Sequence, residues 1–79
     1  MTQEEKQAAA RAMLDNPLFH AVMDDLEAAA INGCINAPVT DDETRAAFAA
    51  EARAIRKFRS KLKFLAEEQA KADGKGAPA

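Results

Sequence analysis

Apolar side chains recur every three or four residues through most of this chain, which is the spacing of amphipathic helices. No segment has the alternation of apolar and polar residues that is typical of a strand. The helical pattern is interrupted around Asn16-Pro17 and around Pro38. Proline cannot continue the helical hydrogen-bond ladder, and it disfavours helix in the residue before it. We therefore predict an all-α protein with three helices, over residues 3–14, 17–36 and 41–72.

Sequence patterns at the helix starts support these boundaries. Thr2 and Glu5 have the spacing of a capping box, in which each side chain satisfies the backbone N–H of the other residue. Thr40 and Glu43 repeat this spacing before the third helix, so we predict a second capping box there. We expect a single helical domain followed by a disordered tail, over residues 1–73 and 74–79 respectively.

The second helix carries an apolar face whose members are three and four residues apart. These members are Leu18, Phe19, Val22, Met23, Leu26, Ala29, Ala30 and Gly33. Ile31 and Ile35 point to the opposite side of the helix, because successive helical residues are rotated by about 100°. We therefore expect the end of this helix to be covered on two sides.

The third helix has a heptad pattern. Phe48, Ile55, Leu62 and Gln69 recur every seven residues, and Glu51, Phe58 and Leu65 lie between them. This spacing is typical of a helix that packs along a partner helix. We predict that the second and third helices form an antiparallel hairpin, which the short first helix precedes.

A chain of 79 residues is small for a core that must stabilise a domain without disulfides, a metal or a partner. Cys34 is the only cysteine, so it cannot form an internal disulfide, and with a single histidine it makes a poor set of metal ligands. We therefore predict that the chain assembles with itself into a dimeric helical bundle, and also joins a larger protein assembly. The interface candidates are Ile31, Ile35, Phe48, Ile55, Phe58, Leu62, Phe64 and Leu65.

Charge is distributed unevenly along the chain. Residues 1–51 contain three basic and ten acidic residues, whereas residues 52–79 contain eight basic and three acidic residues. The favoured interpretation of the basic residues is that they are solvated charges that also pair with the acidic second helix. The alternatives are contact with nucleic-acid phosphates, with an acidic groove of a partner protein or with a membrane surface. The candidate phosphate contacts lie in the segment 53–63 and are Arg53, Arg56, Lys57, Arg59, Lys61 and Lys63.

No group of residues has the pattern of a catalytic or metal site. His20 precedes Asp24 by one helical turn, which predicts a hydrogen-bonded surface pair, and no nucleophile accompanies it. Cys34 is expected to be a small buried apolar residue, because no neighbouring histidine or basic group would activate its thiol. We therefore predict no catalytic residue, no metal ligand and no cofactor, and hence a protein that is not an enzyme.

Two segments of the chain, MLDNPLFHAVMDDLEAAAINGCINAP and TDDETRAAFAAEARAIRKFRSKLKFL, resemble small helical proteins encoded in bacteriophage and prophage genomes. The resemblance covers about 50 residues. Its features are the helix break from Leu14 to Phe19, the segment from Met23 to Leu26, the Asp-rich cap before Arg45 and the long helix reaching Leu62. The resemblance implies a phage origin and a role in virion assembly, genome handling or interference with host defences. It implies no catalytic residue.

The expected location follows from the sequence and from this resemblance. No apolar run is long enough to span a bilayer, and the first residues lack the basic start and apolar run of a secretory signal. We expect the protein in the cytoplasm of a bacterial host cell or in the virion. The predicted function is that of a protein–protein interaction module accessory to virion assembly or host interaction. The alternative is a nucleic-acid-binding or regulatory protein that uses the basic segment 53–63.

Overall fold

The computed structural model describes the backbone of residues 1–74 and the side chains of residues 1–68. This part of the chain contains no strand, and the all-α prediction is confirmed. Gly74, which we predicted to begin the tail, is the last residue of a helix, and the rest of the predicted tail, 75–79, lies outside the described residues. The helices are α1 (Gln3–Leu14), α2 (Pro17–Asn36) and α3 (Asp42–Gly74).

Side-chain caps begin the first two helices. The Glu5 N–H donates to Thr2 Oγ1 at 3.1 Å, and the Thr2 N–H donates to Glu5 Oε1 at 3.0 Å, which completes the capping box. The hydrogen bonds from Thr2, led by the one from its backbone N–H, hold the pKa of Glu5 below its ordinary value. At α2, Asn16 Oδ1 accepts from the Leu18 N–H at 2.9 Å, and Pro17 occupies the first helical position, where its missing N–H is not needed.

The cap of α3 differs from the prediction, because it is Asp41 and not Thr40. Asp41 Oδ1 accepts from the Thr44 N–H at 3.0 Å, and Asp41 Oδ2 accepts from the Thr44 hydroxyl at 2.7 Å. The helix therefore begins at Asp42, one residue later than the sequence pattern indicated. Each bond goes to a different oxygen of the Asp41 carboxylate, whereas a threonine cap would offer a single hydroxyl oxygen.

Asp41→Ala should lower the melting temperature at neutral pH, because both hydrogen bonds to Thr44 are lost. These bonds, led by the one from the Thr44 hydroxyl, hold the pKa of Asp41 below its ordinary value. Their contribution is therefore full above the pKa of the unfolded carboxyl, ~4, and is lost as the pH falls through the lower pKa of the folded state. Thermal melts followed by circular dichroism at neutral and strongly acidic pH measure the difference.

Asp41→Asn is the matched control for this cap, because an asparagine caps a helix without titrating. Its difference from the native chain should shrink at acidic pH, where the native carboxyl is protonated. An Asp41→Ala deficit of equal size at both pH values would contradict the role of the ionised carboxylate.

Both α1 and α2 pack mainly on α3 and make little contact with each other. On α2, Asp24 and Glu27 form ion pairs with Arg59 and Arg56 of α3, respectively, at 2.8 and 3.4 Å. Residue numbers thus rise along α2 where they fall along α3, so the two helices run in opposite directions.

The break between α1 and α2 is bridged by a side chain. His20 Nε2 lies 2.6 Å from the backbone carbonyl oxygen of Leu14, the last residue of α1. The spacing of the sequence predicts a pair between His20 and Asp24. Instead the Asp24 carboxylate accepts from Arg59 Nη1 at 2.8 Å, because the neighbouring helix α3 supplies a cation that the sequence of α2 alone does not reveal.

The core of one chain is thin. Among the described side chains four are buried. Three are the alanines Ala10, Ala30 and Ala66, and the fourth is Leu62. With 33 residues α3 extends for about 50 Å at 1.5 Å per residue, well beyond the diameter of ~30 Å of a small domain. Two helices cover only part of the circumference of α3, and their own outer faces stay uncovered, so large apolar side chains remain in contact with water.

Candidate interaction surfaces

An exposed row of apolar side chains runs along α2. Leu18, Val22 and Leu26 are 69%, 44% and 44% exposed, and the small residue Ala29 continues the row. Their spacing of three and four residues places them on one face of the helix. We call these four residues the apolar row. Large exposed side chains that line up in this way are typical of a surface that a partner covers.

Phe58 of α3 extends this surface beyond α2. Its ring lies 6.4 Å from the ring of Phe19, centroid to centroid, and 46% of the residue is exposed. Phe19 follows Leu18 in the sequence and is itself only half-buried. The aromatic pair thus joins the apolar row to α3, and the exposed apolar surface includes both helices.

The predicted interface residues occupy three kinds of position. Leu62 is buried inside the single chain, so its packing already belongs to the monomer. The exposed candidates are Ile35, Phe58 and Phe64. The half-buried candidates are Ile31, Phe48, Ile55 and Leu65. The heptad seam of α3 therefore faces α1 and α2 in large part, and the widest exposed apolar surface lies on α2.

The Phe48 ring of α3 packs against the backbone of α2 at Gly33. A Cβ atom at this position would lie 2.6 Å from Cδ1 and from Cε1 of Phe48. Non-bonded carbon atoms do not approach this closely, so the Phe48 ring would have to move to make room for a side chain. The absence of a side chain at Gly33 therefore allows the Phe48 ring to lie directly on the backbone of α2.

Gly33→Ala should destabilise the chain by up to about 2 kcal/mol. The added methyl group overlaps the Phe48 ring, at a cost of ~1–3 kcal/mol, and alanine gains at most about 1 kcal/mol of helix propensity over glycine. Urea unfolding measures the change. The neighbouring Asn32→Ala, at an exposed position of the same helix, is the control and should be neutral or slightly stabilising.

The cause of this loss can be tested with Phe48→Leu, which shortens the side chain that the new methyl group meets. In a double-mutant cycle, Gly33→Ala should cost less in the Phe48→Leu background than in the native chain. A Gly33→Ala chain that is more stable than the native chain would contradict the close approach.

A groove lies between α2 and α3 on the side away from the apolar row. Ile31 comes nine residues after Val22, which at about 100° per residue places it on the opposite face of α2. The groove has a volume of ≈ 260 Å³. Its lining combines apolar residues of α2 with small and basic residues of α3: Ile31, Cys34, Ile35, Ala49, Ala52, Arg53 and Arg56. Cys34, expected to be buried, is half-buried at this groove.

The six basic residues of segment 53–63 are not equivalent. Arg56 and Arg59 bind the carboxylates of α2, and Arg59 is also 3.8 Å from Glu27. Lys61 Nζ lies 5.4 Å from the centroid of the Phe64 ring, within the range of a cation–π contact. The basic residues without an ion pair among the described residues are Arg53, Lys57, Lys61 and Lys63, all of them exposed. Pairing with the acidic second helix, as the favoured interpretation held, thus accounts for two of the six.

The described residues contain no group of three or more His, Cys, Asp or Glu side chains arranged to hold a metal ion.

The sequence did not identify the apolar row as exposed, although the apolar residues of α2 cover an arc wider than one neighbouring helix can bury. Within residues 1–74, no helix has the length and the apolar content needed to cross a membrane. Comparisons with models of protein families, with curated proteins and with solved structures found no match to this chain.

Proposed function

We propose that this chain is a non-enzymatic helical interaction module that dimerises through the apolar row. The observation that carries the proposal is the contrast between the core and the surface of one chain. Leu62 is the only large side chain buried among the described residues, whereas Leu18, Val22 and Leu26 stand exposed in line. Burial of apolar surface is the main favourable term in folding and association, so a second copy supplies what the single chain lacks.

A twofold axis through the middle of the row gives the dimer its geometry. In an antiparallel pair of α2 helices centred on Val22, Leu18 of one copy meets Leu26 of the other, and Val22 meets its own counterpart. Such an interface is self-complementary, as twofold symmetry requires. Ala29 permits close approach at the edge of the contact. The two antiparallel hairpins of α2 and α3 then form a dimeric bundle.

Nucleic acid is less well supported as the ligand. Two of the six candidate phosphate contacts, Arg56 and Arg59, already bind carboxylates of α2. The acidic groups Asp24 and Glu27 lie beside them and would repel phosphates. The exposed apolar row also plays no part in binding a phosphate backbone. These contacts favour a protein partner.

The proposed setting is a phage-encoded protein that acts within a larger assembly, in the virion or in the host cell. The resemblance of the segments around Pro17 and Arg45 to small phage and prophage proteins supports this setting. The dimer would present two copies of each remaining surface, which increases the avidity for an assembly with repeated subunits.

The proposal is tested by the dependence of thermal melting on protein concentration. Unfolding of a dimer releases two chains, so the melting temperature should rise as the protein concentration rises. Circular dichroism at increasing concentrations of the native chain measures the shift. A melting temperature that does not change with concentration, together with well-folded protein, would mean that the single chain is stable without a second copy.

A further inference from the structure

The side of the molecule away from the apolar row carries a second surface. The groove at Ile31 and Ile35 is followed along the same helix pair by another cavity of ≈ 370 Å³, lined by Leu14, His20, Arg59, Ser60 and Lys63. The Glu27 carboxylate lies between the two, because one of its oxygens faces Arg56 and the other faces Arg59. Both cavities therefore open beside the same ion-pair cluster.

The residues that line the two cavities carry only positive charge, while Asp24 and Glu27 beside them pair with Arg59 and Arg56. Arg53 and Arg56 line the first cavity, Arg59 and Lys63 line the second, and none of the described residues lining either cavity is acidic. Arg53 is exposed and takes part in no ion pair among residues 1–68. The Arg56 side chain remains 64% exposed beside Glu27, and a guanidinium has five N–H donors, so it can bind a second carboxylate.

The shape of this surface favours an elongated apolar occupant. The first cavity, at ≈ 260 Å³, is smaller than the usual 300–1,000 Å³ (roughly) of a small-molecule pocket, and it is floored by Ala49 and Ala52. Ile31 and Ile35 are one helical turn apart and offer an apolar wall. From Ile35 to His20 the surface extends for about 22 Å along α2, which is the length of about four turns of a partner helix.

We propose that this surface binds an acidic amphipathic helix of a partner protein. An apolar side chain of that helix lies against Ile31, Cys34 and Ile35, and its carboxylates bind Arg53 and Arg56. Helix-in-groove recognition uses apolar anchors at three- and four-residue spacing, which match the rise between Ile31 and Ile35. Nucleic acid would use the cations and leave the apolar wall unoccupied, so the acidic helix accounts for more of the surface.

Two synthetic peptides of about 15 residues test this inference. They share one face of leucines, and their remaining positions are Glu and Ala in the first and Lys and Ala in the second. Fluorescence anisotropy with the native full-length chain should show binding of the Glu peptide and little binding of the Lys peptide. Equal binding of both peptides, or of neither, would overturn the proposal, as would binding of a DNA or RNA oligonucleotide in preference to the Glu peptide.

Two charge reversals on α3 locate the site. Arg53→Glu should weaken binding of the Glu peptide by roughly tenfold or more, because it places a carboxylate against the carboxylates of the peptide. Lys61→Glu makes the same change of charge about 12 Å further along the helix, at an exposed residue that lines neither cavity, and should weaken binding by less than about threefold. Equal effects of the two variants would show non-specific charge attraction and contradict the assigned groove.

The single cysteine supplies a second readout. Cys34 lines the groove and is half-buried, so the bound Glu peptide should slow its alkylation by iodoacetamide, and the Lys peptide should not. An unchanged alkylation rate at saturating Glu peptide would place the peptide elsewhere. Leu26→Glu, which disrupts the apolar row, should leave peptide binding intact, so a failure of the dimer and a failure of this groove are distinguished.

Discussion

Leu26→Glu should dissociate the proposed dimer and leave a folded single chain. Leu26 is 44% exposed in one copy and faces Leu18 of the other copy in the dimer, so the substitution places a charge in an apolar contact. Twofold symmetry repeats this contact, and a total loss of about 2 kcal/mol or more corresponds to a dissociation constant raised at least roughly 30-fold. Sedimentation velocity measures the shift from dimer to monomer.

Val39→Glu is the matched control for this charge. Val39 is 89% exposed and lies between α2 and α3, outside the apolar row, and the substitution makes the same change in net charge. It should leave the dissociation constant within about twofold of the native value. If Leu26→Glu and Val39→Glu behave alike, the apolar row is not the interface.

Leu62→Ala should reduce the free energy of unfolding by about 2–5 kcal/mol, the range measured for leucine truncation in cores. Leu62 is only 8% exposed and is the one large side chain among the four buried residues of the described part of the chain. Typical domains have a stability of about 5–15 kcal/mol in total, so a loss of this size would leave little of the fold. Urea unfolding at fixed protein concentration measures it.

Phe64→Ala is the comparison for Leu62→Ala, because it removes a larger side chain from the same helix at a position that is 53% exposed. Its effect on stability should stay within about 0.5 kcal/mol, since the ring contacts water and Lys61 more than the core. If Phe64→Ala is as costly as Leu62→Ala, the Phe64 ring must be packed in the core and not exposed to water.

The helical character was predictable from local chemistry, because caps and prolines act within a few residues. The Thr2 capping box and the Asn16-Pro17 start of α2 depend on atoms that are close in sequence, and both form as predicted. The residue that caps α3 is harder to predict, since threonine and aspartate are both favoured caps and occur side by side as Thr40 and Asp41. Asp41 forms the cap because its two carboxylate oxygens bind both the N–H and the hydroxyl of Thr44.

The exposed surfaces were less predictable because they depend on where α3 lies against α2. The apolar arc of α2 includes both Val22 and Met23, and the sequence does not say which part a neighbour covers. In the structure Met23 is half-buried and Val22 is 44% exposed. The glycine at position 33 marks a place where a neighbouring helix can come close, but the sequence does not show that Phe48 is the residue that packs there.

The hydrogen-bond partner of His20 also depends on tertiary packing. Its spacing to Asp24 favours a pair on one helix, yet its Nε2 lies against the carbonyl oxygen of Leu14. The bend between α1 and α2 brings that carbonyl within reach, and α3 brings Arg59 to Asp24. Tertiary packing thus gives His20 and Asp24 other partners than each other, although their spacing in the sequence predicts a pair.

The mass of the native chain in solution tests the central claim most directly. Sedimentation equilibrium over a wide range of concentrations should give twice the chain mass of 8.5 kDa, with a shift toward 8.5 kDa on dilution. The same measurement on Leu26→Glu should give the single-chain mass where the native protein is dimeric. A native mass of 8.5 kDa at every concentration, from a chain that is fully helical by circular dichroism, would contradict self-association through the apolar row.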